Sequence, residues 1–219
     1  MDYKNKRFVA SYSGGKDSTL AIYRALKMGM KPMELITSYN IDKNRSWFHG
    51  IPEELLLSAS KEMNIPLSLM RTTGKDYEKN FENKLREAKK NGADFCVFGD
   101  IDIEGHLEWC NNVCEKAGIE AYFPLWKENR KDLVYEFIDE GFQTIINVVD
   151  NLKLPEVFAG KTLTKKIAKE IEVSGADICG ENGEYHSFTF DGPIFSNSVK
   201  FNKGEIIRID NFTIVPIMQ

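Results

Sequence analysis

The chain has 219 residues, of which 42% are hydrophobic and 28% charged, and its formal net charge is −4. These values are typical of a globular protein with one large domain, or with a domain and a smaller companion. The acidic balance argues against a large nucleic-acid-binding surface, and no apolar run has the length of a membrane span. The first residues lead into a strand without a signal-peptide core, and the four cysteines are too few and too scattered for a disulfide scaffold. We therefore expect a cytoplasmic protein.

Strands and helices alternate along most of the chain. The predicted strands are residues 8–12, 33–39, 66–70, 94–98, 119–123 and 142–149, and the predicted helices are residues 19–27, 52–63, 76–91, 107–117 and 131–140. This alternation predicts an α/β fold with a doubly wound parallel sheet, in which ligands bind at the carboxyl ends of the strands.

The pattern changes near residue 150. A helix over residues 162–173 is followed by alternating stretches at 184–190, 194–201 and 205–218, separated by turns, which predict an antiparallel β element. The sequence thus predicts a first domain of residues 1–150 and a smaller C-terminal α+β domain of residues 151–219.

The loop after the first predicted strand reads Ser13-Gly14-Gly15-Lys16-Asp17-Ser18. Two adjacent glycines let the backbone approach an anion, and the amides at the start of the next helix point toward it. The lysine adds a positive charge, and the two serines add hydroxyl donors. The loop lacks the Walker spacing. Beside bound phosphates, the aspartate requires an intervening Mg²⁺, which it contacts directly or through water.

Ser-Gly-Gly-Lys-Asp-Ser resembles the PP-loop of the ATP pyrophosphatases, which belong to the adenine nucleotide alpha hydrolase superfamily and cleave ATP between the α- and β-phosphates. The resemblance implies a HUP/Rossmann-like domain in which Ser13, Gly14, Gly15, Lys16 and Ser18 bind ATP. An ordinary glycine turn between a strand and a helix is the alternative.

A second signature runs from Cys179 to Phe195 and includes Gly180-Glu181-Asn182-Gly183-Glu184-Tyr185-His186. Together with the PP-loop, it resembles the diphthine–ammonia ligase family. Further matching segments lie at residues 99–102, 123–126, 141–142 and 158–161, so the resemblance covers nearly the whole chain.

The resemblance implies ATP-dependent amidation, in which a carboxylate is adenylylated, pyrophosphate leaves and ammonia displaces AMP. In archaeal and eukaryotic members of the family, the carboxylate belongs to diphthine, a modified histidine of elongation factor 2. The resemblance also implies that the two domains face one cleft, and it is compatible with a homodimer. Because the chain has no glutaminase segment, we expect free ammonia as the nitrogen source.

The chain departs from the family pattern at three places. His186 stands where members commonly have Glu or Asp, Gly99-Asp100 replaces a Gly-Ala pair, and residues 102–106 are atypical. The family also has bacterial members, and bacteria make no diphthamide. The same ATP chemistry on a small-molecule acid therefore stays open, as does a non-catalytic nucleotide-binding module. A tRNA-modifying PP-loop enzyme has less support, since the chain has no basic stripe and no Cys-x-x-Cys pair.

Three side chains of the second signature are candidates for handling the nitrogen. The family motif implies that Glu181 and Glu184 orient the incoming ammonium or take up its protons. The alternative is that they accept hydrogen bonds from turn amides. His186 either shares this proton work or is a surface residue of a hairpin.

The ends of two other predicted strands supply further candidates. Thr37 and Ser38 end the second strand, where adenine and ribose are usually held in this fold, and residues 40–50 after it predict a mobile loop over the nucleotide pocket. Gly99 and Asp100 follow a buried strand at the ligand-binding edge. Asp100, and with less support Asp102, contacts Mg²⁺ or ribose, or else serves as a turn or helix-capping residue.

Cys110 and Cys114 lie one helical turn apart and share a face. No second Cys or His pair stands at zinc-site spacing, so core packing is the better interpretation.

Overall fold

The computed structural model describes residues 3–47 and 49–219, which form two compact units. The first unit holds residues 3–13, 17–47 and 64–128, and the second holds residues 14–16, 49–63 and 129–219. The helices are α1 (Lys16–Lys27), α2 (Glu53–Met63), α3 (Tyr77–Lys90), α4 (Glu104–Ala117), α5 (Arg130–Asp139) and α6 (Lys165–Val173). No helix in the described ranges is long and apolar enough to cross a membrane.

The strands of the first unit are β1 (Arg7–Ser11), β2 (Lys31–Asn40), β3 (Arg45–Ser46), β4 (Leu67–Thr72), β5 (Phe95–Val97) and β6 (Glu120–Tyr122). Five of them form a parallel sheet in the order β4-β2-β1-β5-β6, and β3 pairs antiparallel with the end of β2. The chain runs outward from β1 in one direction and then from β5 in the other, so a topological switch point lies between these two strands. The predicted doubly wound sheet is confirmed.

The core of the first unit joins the sheet to α3 and α4. Phe81 and Leu85 on α3 and Val113 on α4 pack with Cys96 of β5 in one buried cluster. All three residues of β5 are buried, as expected for a strand covered on both faces. Helix α4 ends at Gly118, whose φ of 72° is a left-handed conformation that glycine adopts without strain.

The strands of the second unit are β7 (Gln143–Asp150), β8 (Tyr185–Asp191), β9 (Asn202–Lys203), β10 (Ile207–Ile209), β11 (Phe212–Ile214) and β12 (Ile217–Met218). An antiparallel sheet has the order β10-β11-β7-β8, and β9 pairs with β12 separately. Asn129 caps α5 by accepting hydrogen bonds from the amides of Lys131 and Asp132 at 3.0 and 3.2 Å. The α+β element with antiparallel strands that was predicted for the C-terminal part is therefore present.

Two predicted strands differ from the structure. Residues 142–149 continue the βα alternation in the sequence, yet β7 pairs antiparallel with β8 and β11 in the second unit, and the predicted boundary near residue 150 lies at its end. Residues 194–201 form no strand. Their amides instead bond to a turn and to neighbouring segments: Phe195 to the Gly192 carbonyl, Ser196 to that of Glu62 and Val199 to that of Phe190.

Candidate functional site

The turn between β1 and α1 contains the glycine pair. The Oγ atoms of Ser13 and Ser18 lie 3.1 Å apart, and the Ser13 amide donates to the Ser18 hydroxyl at 3.4 Å. Gly14 has a φ of 85°, which disfavours any residue with a side chain. Because α1 begins at Lys16, the amides at the start of this helix follow the glycines directly. The local geometry is that of an anion-binding turn.

Gly99, after β5, lies against the first turn of α1. A Cβ atom at this position would come within 2.7 Å of the Ser18 amide nitrogen and 2.8 Å of the Asp17 carbonyl carbon. Glycine is therefore required at this position for packing. A role of Gly99 in cofactor binding stays a prediction.

The end of β2 places Thr37 and Ser38 near the end of β1. The buried Thr37 hydroxyl donates to the Tyr12 carbonyl at 2.5 Å, and the Ser38 carbonyl accepts a hydrogen bond from the Trp47 amide at 3.1 Å. Residues 40–50 were predicted as a mobile loop. In the structure, β3 lies within this stretch and pairs with Tyr39 and Asn40 at the end of β2, which forms a hairpin. Phe48, in the same predicted loop, lies outside the described residues.

Asp100 follows β5 and is partly buried. Its Oδ1 lies 3.2 Å from His106 Nδ1, and the Cys110 thiol donates toward its Oδ2 at 3.9 Å. Burial raises the pKa of this carboxyl, although the neighbouring histidine works in the opposite direction. Asp102 lies partly exposed in the turn before α4. Cys110 and Cys114 are buried in the core of the first unit, as their helical spacing predicts.

The second unit holds the glycine pair and Lys16 at the outer edge of β8. β8 is the end strand of its sheet, and the Thr189 amide donates to the Gly14 carbonyl at 2.8 Å. The Lys16 amide donates to the Ser187 hydroxyl at 3.4 Å, and the buried Lys16 ammonium lies 5.6 Å from the centroid of the Tyr185 ring. The loop thus satisfies the backbone amide of Thr189, which a neighbouring strand would otherwise bind.

His49 contacts the same strand edge. Its Nδ1 lies 2.8 Å from the Ser187 carbonyl oxygen, and the His186 ring lies 4.9 Å away, centroid to centroid. Burial lowers the pKa of His49 to about 4 and that of His186 to about 3, with the positive charge of Lys16 adding to both shifts. Both imidazoles are therefore neutral at pH 7. No local motif marks His49, because its partners come from remote parts of the chain.

Glu184 and Glu181 lie on the glycine-rich turn before β8. The buried Glu184 carboxylate accepts hydrogen bonds from the Asn182 amide at 3.0 Å, the Asn182 side chain at 3.1 Å and the Asp177 amide at 3.4 Å. Glu181 is partly exposed. Glu184 therefore holds this turn together, and the catalytic roles of both carboxylates stay predictions.

Two family models together match most of the chain. Residues 6–121 match the diphthamide synthase N-terminal domain, and residues 129–217 match the diphthamide synthase C-terminal domain. The chain belongs to the diphthamide synthase family. The resemblance drawn from the PP-loop and from the segment after Cys179 is thereby confirmed at the level of the family.

Curated members of the diphthamide synthase family differ in how much they share with this chain. Human diphthine–ammonia ligase is 36% identical over 100 residues, which cover 44% of this chain and 38% of that protein. The Danio rerio diphthine–ammonia ligase is 23% identical over 237 residues, covering 96% and 92%. The matches to the mammalian relatives span only 38–41% of their length.

A solved structure also resembles this member of the diphthamide synthase family. It is described as the predicted subunit of a tRNA methyltransferase from Methanocaldococcus jannaschii, and it superposes with a TM-score of 0.46 at 14% identity. The superposition covers 86% of this chain and 98% of the other. A likeness of this strength gives no information on function.

Proposed function

We propose that this protein is an ATP-dependent amide ligase that joins a carboxylate to ammonia and releases AMP and pyrophosphate. The observation that carries the proposal is the turn between β1 and α1. It combines a left-handed glycine, a helix that begins at Lys16 and two serine hydroxyls 3.1 Å apart. Membership of the diphthamide synthase family supports the same chemistry.

The residues of this turn fit the phosphates of ATP. Bound ATP would supply the adenylyl group that turns a poor leaving group, oxide, into a good one. The amides of Gly14 and Gly15 and the Lys16 ammonium would neutralise the departing pyrophosphate, and the hydroxyls of Ser13 and Ser18 would orient it. Lys16 is suited to this role because its side chain is buried, so that its charge is weakly screened by water.

The remaining cofactor contacts belong to the first unit. Asp17 would hold Mg²⁺ directly or through water, since carboxylate oxygens are ligands that this cation prefers. Thr37, Ser38 and Gly99 would contact the nucleoside at the carboxyl ends of their strands. Asp100 would contact ribose or Mg²⁺.

The nitrogen side of the reaction would use Glu181, Glu184 and His186. A nucleophilic amine must lose protons as the amide forms, and carboxylates and neutral imidazoles accept protons. Burial keeps His186 uncharged at pH 7, which suits a proton acceptor.

We further propose diphthine on elongation factor 2 as the carboxylate, because the curated relatives are named diphthine–ammonia ligases. Free ammonia would be the second substrate. The protein would then work in the cytoplasm, where elongation factor 2 acts, with a homodimer as the largest expected assembly.

The test mixes the protein with ATP, Mg²⁺, ammonium chloride and elongation factor 2 that carries diphthine. We expect AMP and pyrophosphate in equal amounts and a protein product with one amide in place of a carboxylate, detected by mass spectrometry. Release of ADP and phosphate would contradict the proposed chemistry. Turnover only with a small-molecule acid would show that such an acid, and not diphthine, is the substrate. ATP binding without any turnover would indicate a non-catalytic nucleotide-binding module.

A lysine pair provides the matched variants for this test. Lys16→Met should lower pyrophosphate release on the order of 100-fold, the usual size of a lost electrostatic contact to a transition state. Lys166→Met should leave it unchanged, because the Lys166 side chain is 85% exposed on α6.

A further inference from the structure

His49 lies in the segment before α2, and contacts with other parts of the chain hold it at three points. Its ring nitrogen Nδ1 lies 2.8 Å from the Ser187 carbonyl oxygen, and its own carbonyl accepts a hydrogen bond from the Asn147 side chain at 2.9 Å. The ring also occupies the space beside Gly15, where a Cβ atom would lie 2.3 Å from His49 Cε1. His49 is therefore positioned by contacts from three separate stretches of the chain, two of them to the ring and one to its main-chain carbonyl.

The hydrogen bond to Ser187 decides the tautomer of His49. A carbonyl oxygen only accepts hydrogen bonds, so Nδ1 must carry the hydrogen and Nε2 must carry the lone pair. His49 thus presents a proton acceptor in a fixed orientation.

The charges around this imidazole favour a neutral ligand. The positive charge of Lys16 acts on His49 and on the neighbouring His186 ring, which Lys153, itself paired with Asp150 at 3.2 Å, also influences. An ammonium ion would be repelled by these positive charges, whereas ammonia carries no charge and donates hydrogen bonds. The surroundings of His49 therefore suit the unprotonated form of the nitrogen substrate.

We propose that His49 is a catalytic residue that accepts a proton from ammonia as the nitrogen attacks the activated carboxyl group. This role rests on the proposed amide-ligase function. The nitrogen lone pair forms the C–N bond, the bond between the acyl carbon and the AMP oxygen breaks, and AMP leaves with that electron pair. One N–H bond breaks, and its proton moves to Nε2. The resulting imidazolium keeps its Nδ1–H bond to Ser187 and later releases the proton to water.

The test compares wild type with His49→Asn on elongation factor 2 that carries diphthine. The asparagine amide preserves a donor close to the position of Nδ1 but provides no base at Nε2. We expect the rate of amide formation from ammonia to fall on the order of 100-fold. Pyrophosphate exchange into ATP, which reports adenylylation alone, should change less than about threefold.

Hydroxylamine provides the second readout. It is a stronger nucleophile than ammonia and is largely unprotonated at neutral pH, so water is sufficient to take up the proton that its nitrogen loses. His49→Asn should therefore still form the hydroxamate at close to the wild-type rate. Equal losses of exchange, hydroxamate and amide would assign His49 a structural role, and unchanged amide formation would also overturn the proposal.

Failure of the proposed function gives a different result. If wild-type protein shows neither pyrophosphate exchange nor hydroxamate, the ligase function falls and the role of His49 falls with it. Nitrogen NMR of the three histidines tests the geometry without any substrate. We expect the Nδ1–H tautomer for the ring whose signals disappear in His49→Asn, and an Nε2–H tautomer would contradict the assignment.

Discussion

Gly99 lies so close to Ser18 that a Cβ atom on the glycine would come within 2.7 Å of the serine amide nitrogen. The two residues follow β5 and β1, the strands on either side of the switch point of the parallel sheet. The first turn of α1 therefore depends on the absence of one methyl group at the end of the adjacent strand.

Gly99→Ala should disturb this turn at the level of the backbone. The atoms that a methyl group would meet belong to the main chain, which cannot swing aside, so we expect a loss of about 1–3 kcal/mol in the free energy of unfolding. Urea denaturation measures the loss, and ATP binding should weaken in parallel.

Gly105→Ala is the matched control for that variant. Gly105 lies in α4, and a Cβ atom there would meet nothing within 4 Å. Stability should stay unchanged or rise by up to about 1 kcal/mol, since alanine favours helices. Equal losses in the two variants would show that the contact with Ser18 is not the cause.

Gly15→Ala should have the opposite balance of effects. Its methyl group would meet the His49 ring, which can rotate away only by losing its hydrogen bond to Ser187, so stability should fall by about 1 kcal/mol, the usual net contribution of one hydrogen bond. Displacement of His49 should nevertheless slow amide formation from ammonia more than pyrophosphate exchange. Thermal denaturation together with the two rate measurements checks this, and a large loss of stability would contradict it.

Glu184 permits separation of a structural role from a catalytic one. Glu184→Ala removes the acceptor for the amides of Asn182 and Asp177, which should cost about 1–3 kcal/mol of stability. Glu184→Gln keeps one acceptor oxygen and should fold with a smaller loss, yet form amide on the order of 100-fold more slowly if the carboxylate takes up protons. Full turnover by the glutamine variant would leave Glu184 with the structural role alone.

The lowered pKa values of His49 and His186 should make stability depend on pH between 6.5 and about 3. Burial lowers the pKa of His49 from 6.5 to about 4 and that of His186 to about 3. In this window the unfolded chain binds more protons than the folded one, so stability is fully present above pH 6.5 and is lost as the pH falls. Urea denaturation at pH 7 and pH 5 should show a larger loss for wild type than for the double variant His49→Asn/His186→Gln. Equal losses would mean that the two pKa values are not depressed.

The Asp76 carboxyl should make stability depend on pH over a lower range. Hydrogen bonds from Thr72 and Asn80 lower the pKa of its carboxyl to about 2, from an ordinary value of 3.8. Its contribution is therefore complete at pH 5 and is lost only below about pH 4, so it does not enter the comparison between pH 7 and pH 5.

Much of the first unit could be predicted from sequence. The strand, glycine turn and helix at residues 8–27 have strong local signals, and the short apolar run at β5 is typical of a strand buried on both faces. The doubly wound sheet followed from the alternation of strands and helices, and the glycine turn was expected at a carboxyl strand end.

The second unit was harder to predict, because its pairings join distant segments. The apolar run in β7 is compatible with a parallel or an antiparallel sheet, and only its partners β8 and β11 decide between them. His49 was not recognised as a site residue for the same reason. Its position is set by hydrogen bonds with Asn147 and Ser187, and neither residue is near it in sequence.

The covered edge of β8 affects how readily variants of this chain would aggregate. An uncovered end strand is a template for pairing with another molecule, and the glycine turn and His49 occupy the backbone groups of Thr189 and Ser187 that would do so. Changes that detach the turn would therefore promote intermolecular aggregation as well as stop turnover. Solubility during expression would then report on the integrity of the turn before any enzyme assay is run.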